Sequence, residues 1–288
     1  MPAASRLLLA LIVASCSGCA DISAITPRMT LEERLIFHPR PFKIADERPR
    51  DAEFEDVMID SQKARLHGWY QGVERPTAVV LYCHGNAGNI FSRGWVVRLF
   101  RDHLNCSVLV FDYRGYGKST GVPSEAGVLA DARAARRWLA QRAKIAEKDV
   151  VLVGTSLGGA VAVDLAAKDG TRALILGSTF TSLPDVASSF FFGMPTRWLI
   201  NARLDSLSKI AAYHGPLFQT HGDADAIVPF ALGQKLFAAA NEPKQFIPLP
   251  GAGHNDPPTP ELVQQLRRFL EALPIPEKRS ADVCPARP

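Results

Sequence analysis

Short uninterrupted apolar runs recur through the middle of the chain, at residues 78–83, 107–112, 150–153, 173–176 and 216–220. Each is four to six residues long and bounded by Gly, Asp, Asn or Pro, and most are rich in Val, Leu and Ile. Such runs suit strands buried on both faces. A further strand is predicted at 245–249. Between the runs the apolar spacing becomes helical. Val128, Leu129, Ala132, Ala135, Trp138 and Leu139 recur at helical intervals, with Arg133, Arg136 and Arg137 among them and Ser124 placed as a cap. Another helix is predicted to begin near Ser156, and a last one over 260–272, where Leu262, Leu266 and Phe269 align. Residues 54–70 read as an antiparallel pair leading into the sheet. Strand–helix alternation of this kind predicts an α/β fold, a mainly parallel doubly wound sheet with helices on both faces.

The domain is expected over 52–273. Residues 19–51, with Pro27, Pro39, Pro41 and Pro49, read as a linker, and 274–288 as a Pro-rich disordered tail. The stretch from about 181 to 213 connects two strands and is the only one long enough to form a short lid. It carries Phe190, Phe191, Phe192, Met194 and Trp198.

Composition changes this picture little. The 288 residues are 47% hydrophobic and 22% charged, enough for one large core and hardly for two. The net charge is +4 with Lys and Arg spread along the chain, so no nucleic-acid partner is expected. Cys83, Cys106 and Cys284 are too few and too scattered for a disulfide framework. On parallel neighbouring strands Cys83 and Cys106 would sit at opposite ends, out of bridging range. No Cys/His cluster has metal spacing, and neither metal nor cofactor is expected.

The N-terminus stands apart. Arg6, the apolar run 7–14 and the small residues after it have the anatomy of an export signal over residues 1–18, too short for a stable transmembrane helix. A cysteine after small residues at the end of such a run resembles the lipobox of bacterial lipoproteins. Residues 13–16 fit that pattern well and 16–19 less well, making Cys16 (or Cys19) the lipidation candidate. Neither is followed by Asp, so the resemblance implies an outer-membrane lipoprotein of the bacterial cell envelope, held to the membrane by a lipid anchor. The alternative is a cleaved signal and a soluble periplasmic or secreted protein.

Chemistry concentrates at three places. Residues 154–159, GTSLGG, follow one apolar run and precede a helix-forming one. A G-x-S-x-G turn needs its glycines so that strand can bend sharply into helix, leaving Ser156 exposed in a strained turn at the positive helix end. A serine hydroxyl is a weak nucleophile until a base takes its proton. Of seven histidines, His254 lies in a loop after the last predicted strand, at the same sheet edge as Ser156. An acid to orient it is expected after 216–220, where Asp223 and Asp225 compete; spacing does not choose between them. The developing oxyanion needs preorganised donors, each worth roughly 2.7–4 kcal/mol. The Leu157 amide is one. The backbone N–H of Asn86, in HGNAGN (84–89) after the first buried strand, is the second candidate.

HGNAGN, DYRGYGKS (112–119), GVPSE (121–125), GTSLGGAVA (154–162), HGDADAIVP (221–229) and GAGHND (251–256) together make the chain resemble one branch of the α/β-hydrolases. That branch holds bacterial lipoprotein and membrane-associated hydrolases and is similar to eukaryotic protein depalmitoylases. The resemblance runs from about 52 to 272. It implies a serine hydrolase with Ser156, Asp225 and His254 in the order of that family, acting through an acyl-enzyme on carboxylic esters or thioesters. The family pattern of Gly, two residues, Asp, two residues, Val-Pro is what selects Asp225. Many members carry Glu-Asn where this chain has Gly177 and Ser178, a change expected in the pocket wall. The lid aromatics Phe190, Phe191 and Phe192 are expected to hold an acyl or similarly apolar group of a small ester or acylated substrate. A serine peptidase of short peptides, or a catalytically silent envelope binding protein, would use the same fold.

Overall fold

The computed structural model describes residues 29–43, 54–190, 196 and 200–274. The signal with Cys16 and Cys19, Phe191 and Phe192 of the lid, and residues 275–288 of the tail lie outside the described residues.

Eight strands form one sheet: β1 (Glu55–Ser61), β2 (Ala64–Gln71), β3 (Ala78–Cys83), β4 (Cys106–Phe111), β5 (Val151–Thr155), β6 (Leu174–Gly177), β7 (Leu217–Gly222) and β8 (Lys244–Leu249). Their order is β1-β2-β4-β3-β5-β6-β7-β8. β1 and β2 pair antiparallel, β2 meets β4 antiparallel, and every pairing from β4 to β8 is parallel. The helices are α1 (Leu31–Ile36), α2 (Gly94–Arg98), α3 (Glu125–Ala143), α4 (Leu157–Asp169), α5 (Leu183–Phe190), α6 (Leu207–Ile210), α7 (Phe230–Ala239) and α8 (Pro260–Glu271).

The continuous apolar runs are explained by two cores, one on each face of the sheet. Along β3, Val79 and Leu81 join the core packed by α3, α4 and α7, while Val80 and Tyr82 join the one packed by α2 and α8. Successive side chains leave a strand on opposite faces, so covering both faces makes every position apolar. Both cysteines of the sheet are free and buried. Cys106 stands opposite Ala78, and Cys83 opposite Gly154, so they occupy opposite ends of β3 and β4 as expected. Burial pushes each thiol up to about 12, which keeps it protonated and inert.

One stretch departs from the sequence reading. Residues 29–43, inside the expected linker, are built into the domain. Thr30 and Glu33 cap α1 reciprocally, Phe37 is wholly buried, and Pro39 and Pro41 bridge to Gly88 and Gly117. A six-residue helix is too short to show apolar periodicity, and the four prolines dominated the pattern. The capping box, T-x-x-E at 30–33, was the signal available.

Candidate active site

The site is assembled where β3, β5, β6, β7 and β8 end, at the carboxyl edge of the parallel sheet. Ser156 stands between β5 and α4 at φ 54°, ψ −122°, a conformation costly for a residue with a Cβ. Three hydrogen bonds fix it there. Its N–H donates to the Gly177 carbonyl (2.9 Å), and its carbonyl accepts from the Gly159 N–H (2.9 Å) and Thr179 Oγ1 (2.8 Å). The turn is tight enough that a Cβ on Gly154 would lie 2.2 Å from the Gly158 carbonyl oxygen, and one on Gly158 2.0 Å from that of Cys83. Glycine at these two positions lets α4 start directly against the sheet.

Asp225 and His254 come from neighbouring loops after β7 and β8. The loops interlock: the Ala224 N–H donates to the Ala252 carbonyl, and a Cβ on Gly222 would lie 2.2 Å from that same oxygen. His254 Nδ1 is 2.7 Å from Asp225 Oδ2. A carboxylate only accepts, so Nδ1 carries the proton and Nε2 keeps a lone pair available to the Ser156 hydroxyl. Ser156 Oγ itself makes no hydrogen bond among the described residues; both side chains face one cavity, and such bonds commonly tighten only with substrate bound. Asp225 Oδ1 accepts from the Ile227 and Val228 N–H groups, both at 2.8 Å. Burial opposes the Asp225 charge. Donors from His221, His254 and the Val228 backbone outweigh it and hold the carboxyl well below the usual range. Asp223, the competing carboxylate, turns elsewhere and accepts from the Gly251 N–H at 2.7 Å, bracing the His254 loop.

The HGNAGN loop passes beside the nucleophile, where a Cβ on Gly85 would lie 3.3 Å from Ser156 Cβ. The Asn86 side chain is held at both its oxygen and its nitrogen. Its Oδ1 accepts from the His38 N–H (3.1 Å) and the Tyr116 hydroxyl (2.8 Å), and its Nδ2 donates to the Ile36 carbonyl. Among the described residues neither the Asn86 N–H nor the Leu157 N–H has a hydrogen-bond acceptor, so both can serve an incoming oxygen. His84 Nδ1–H donates to the Gly85 carbonyl at 2.6 Å, fixing the preceding peptide. Burial, helped by the charge of Arg93, pushes its pKa down to about 3, so His84 is neutral. DYRGYGKS is scaffold. Buried Asp112 accepts from the Ile90 N–H, and Ser119 Oγ donates to the Asp112 carbonyl and accepts from the His67 N–H.

Ser156 and His254 open onto a cavity of about 650 Å³. Of the lid, Leu183, Val186, Ala187, Phe190 and Ile200 line it. Much of its apolar wall comes from elsewhere: Trp95 and Leu99 on and just after α2, and Leu262, Val263 and Leu266 on α8. Gly177 and Ser178 line it too.

Two participants were missed in the sequence. His221 Nε2 lies 2.9 Å from the Val228 carbonyl and 3.3 Å from Asp225 Oδ2, making it a second imidazole on the same carboxylate. Its place four residues before Asp225 was the available signal. The α2–α8 wall was the other, because a helical apolar stripe reads equally as core.

The family model for the alpha/beta hydrolase family matches residues 80–276. The chain belongs to the α/β-hydrolase family. An uncharacterized Mycobacterium tuberculosis protein is 39% identical to this hydrolase over 247 residues, spanning 83% of this chain and 87% of its own. Protein bem46 of Schizosaccharomyces pombe is 39% identical over 193 residues, 63% of this chain and 62% of that one. An esterase of Pyrococcus furiosus superposes with a TM-score of 0.66 at 21% identity, over 82% of the hydrolase chain and 99% of its own. This last likeness is one of fold.

Proposed function

We propose that this α/β-hydrolase is a serine esterase or thioesterase acting through an acyl-enzyme on Ser156. The observation that carries the reading is the 2.7 Å His254–Asp225 pair facing the same apolar cavity as a nucleophile-elbow serine. Ser156 Oγ attacks the acyl carbonyl while its proton passes to His254 Nε2, and Asp225 stabilises the imidazolium. The oxyanion is held by the Leu157 and Asn86 N–H groups. Collapse of the intermediate breaks the C–O or C–S bond, and the departing alkoxide or thiolate takes the proton from His254. Water, activated by the same imidazole, then releases the acid. The cavity, including Phe190, receives the acyl group; it lies within the roughly 300–1,000 Å³ range common for small-molecule sites, and its lining is mainly apolar. The motif set supports membership in the branch related to depalmitoylases, and the N-terminal pattern supports a lipoprotein anchored through Cys16 or Cys19.

The test is a p-nitrophenyl ester series from acetate to palmitate, with wild type and Ser156→Ala. Turnover with an optimum beyond acetate, abolished in the variant, is expected. A folded wild type inactive on every ester sinks the reading and moves attention to peptide substrates or a non-catalytic role.

A further inference from the structure

Among the described residues, four large apolar side chains are more than a third exposed: Met58 (42%), Trp95 (40%), Phe190 (50%) and Ile227 (45%). Scattered singly, such residues need no account. These are not scattered. All but Met58 line the cavity that holds Ser156 and His254. They come from α2, from the last residue of α5 and from the loop after β7, so three separate elements bring an exposed apolar side chain to one opening.

What lies behind and beside the rim says what it meets. The cavity behind is mainly apolar, walled by Leu99, Leu249 and Val263 with Arg93 and Asp256 among its polar residues, so the rim continues inward where a flat protein interface would stop. Beside it, Ile36 and His38 line the same cavity, so the N-terminal arm enters the domain at this mouth. Residues 17–28 separate Cys16 from Met29 and reach at most roughly 45 Å when fully extended. An anchor at Cys16 or Cys19 would hold the domain within about that distance of the surface, which lets the mouth reach it. Tryptophan, with an apolar ring and a polar N–H, is the side chain most at home at a lipid–water boundary.

We propose that Trp95, Phe190 and Ile227 form a lipid-docking rim, which seats the active-site mouth on a membrane so that the cavity opens into the acyl-chain layer. The proposal rests on the esterase reading only for what enters the cavity; the docking itself needs no hydrolysis.

The full chain, reconstituted in vesicles of phosphatidylethanolamine and phosphatidylglycerol, would be tested with lipids brominated in their acyl chains. The protein has four tryptophans, of which Trp69 is wholly buried. Bromolipids are expected to quench part of the emission, and that quenched component is expected to be lost in Trp95→Phe and reduced in Ile227→Asp, but kept in Met58→Ala. No quenching, or equal quenching in wild type and Trp95→Phe, overturns the proposal. An unquenched wild type that sediments as a dimer split by Ile227→Asp overturns it in favour of a second copy. Turnover of a water-soluble ester is measured on the same wild-type sample. Turnover without quenching sinks the docking and leaves the esterase; quenching without turnover does the reverse.

Discussion

Asp225 is engaged from four sides: Oδ1 accepts from two backbone N–H groups, while Oδ2 accepts from His254 Nδ1 and lies 3.3 Å from His221 Nε2, whose proton also faces the Val228 carbonyl. That arrangement separates it from Asp223, which the spacing alone could not do. Asp225→Asn should leave the fold intact but present the wrong donor to His254, lowering kcat by ~10⁴-fold, whereas Asp223→Asn should cost only a few-fold. Steady-state kinetics on one ester decides between them. In the proposed mechanism His221 acts through Asp225, as a positioning residue. Removing its donor in His221→Phe should raise the Asp225 pKa, so that activity fails at a higher pH on the acid side, with kcat/KM down roughly tenfold. His221→Gln, which restores an N–H, should move the acid limb back; a limb that never moves rules the role out. Ser156 and His254 were legible because a turn motif and a loop position constrain them. His221 was not, since a histidine before a glycine can point either way off a strand.

The strands were legible to within a residue or two because burial on both faces leaves an unbroken apolar run. Helices were legible where they are long, as with α3 and its Ser124 cap, and illegible where they are short or where their ties are polar. Asp164 on α4 is such a tie. It is buried and ion-paired with Arg133 of α3 (2.9 Å), Lys168 of its own helix (2.9 Å) and Lys209 of α6 (2.8 Å), joining the lid's return to the body of the domain. Glu125, at the start of α3, adds a second tie by accepting from the Arg203 and Leu204 N–H groups. Burial disfavours the Asp164 charge, but the three cations outweigh it and bring the pKa from 3.8 down to about 2. A depressed carboxyl stabilises the fold above its unfolded value and stops doing so as pH falls through the folded one. Asp164→Asn should therefore lose about 2 kcal/mol at neutral pH. The gap to wild type should shrink below pH 3.8 and close near pH 2, as followed by urea melts across that range.

The whole molecule differs most from its sequence reading at the N-terminal arm. Nothing in a Pro-bearing stretch announces that Phe37 fills the core or that Ile36 and His38 grip Asn86, because those contacts join residues about fifty apart. Phe37→Ala should cost about 3–5 kcal/mol, an interior loss no linker residue would show, read from the shift in unfolding midpoint. The cavity was also legible only in part: the lid's share followed from chain length between strands, while the shares of α2 and α8 depend on how two distant helices meet over the sheet. The grip of the arm on Asn86 bears on how such chains diversify. Residues 36–41 and 86–89 make one structural unit although three strands separate them along the chain. A recombination falling near residue 50 would give the oxyanion loop a foreign clasp while leaving both apolar cores intact. Descendants of such an event would fold and fail, so the two stretches should drift together through the lineage, each correcting the other.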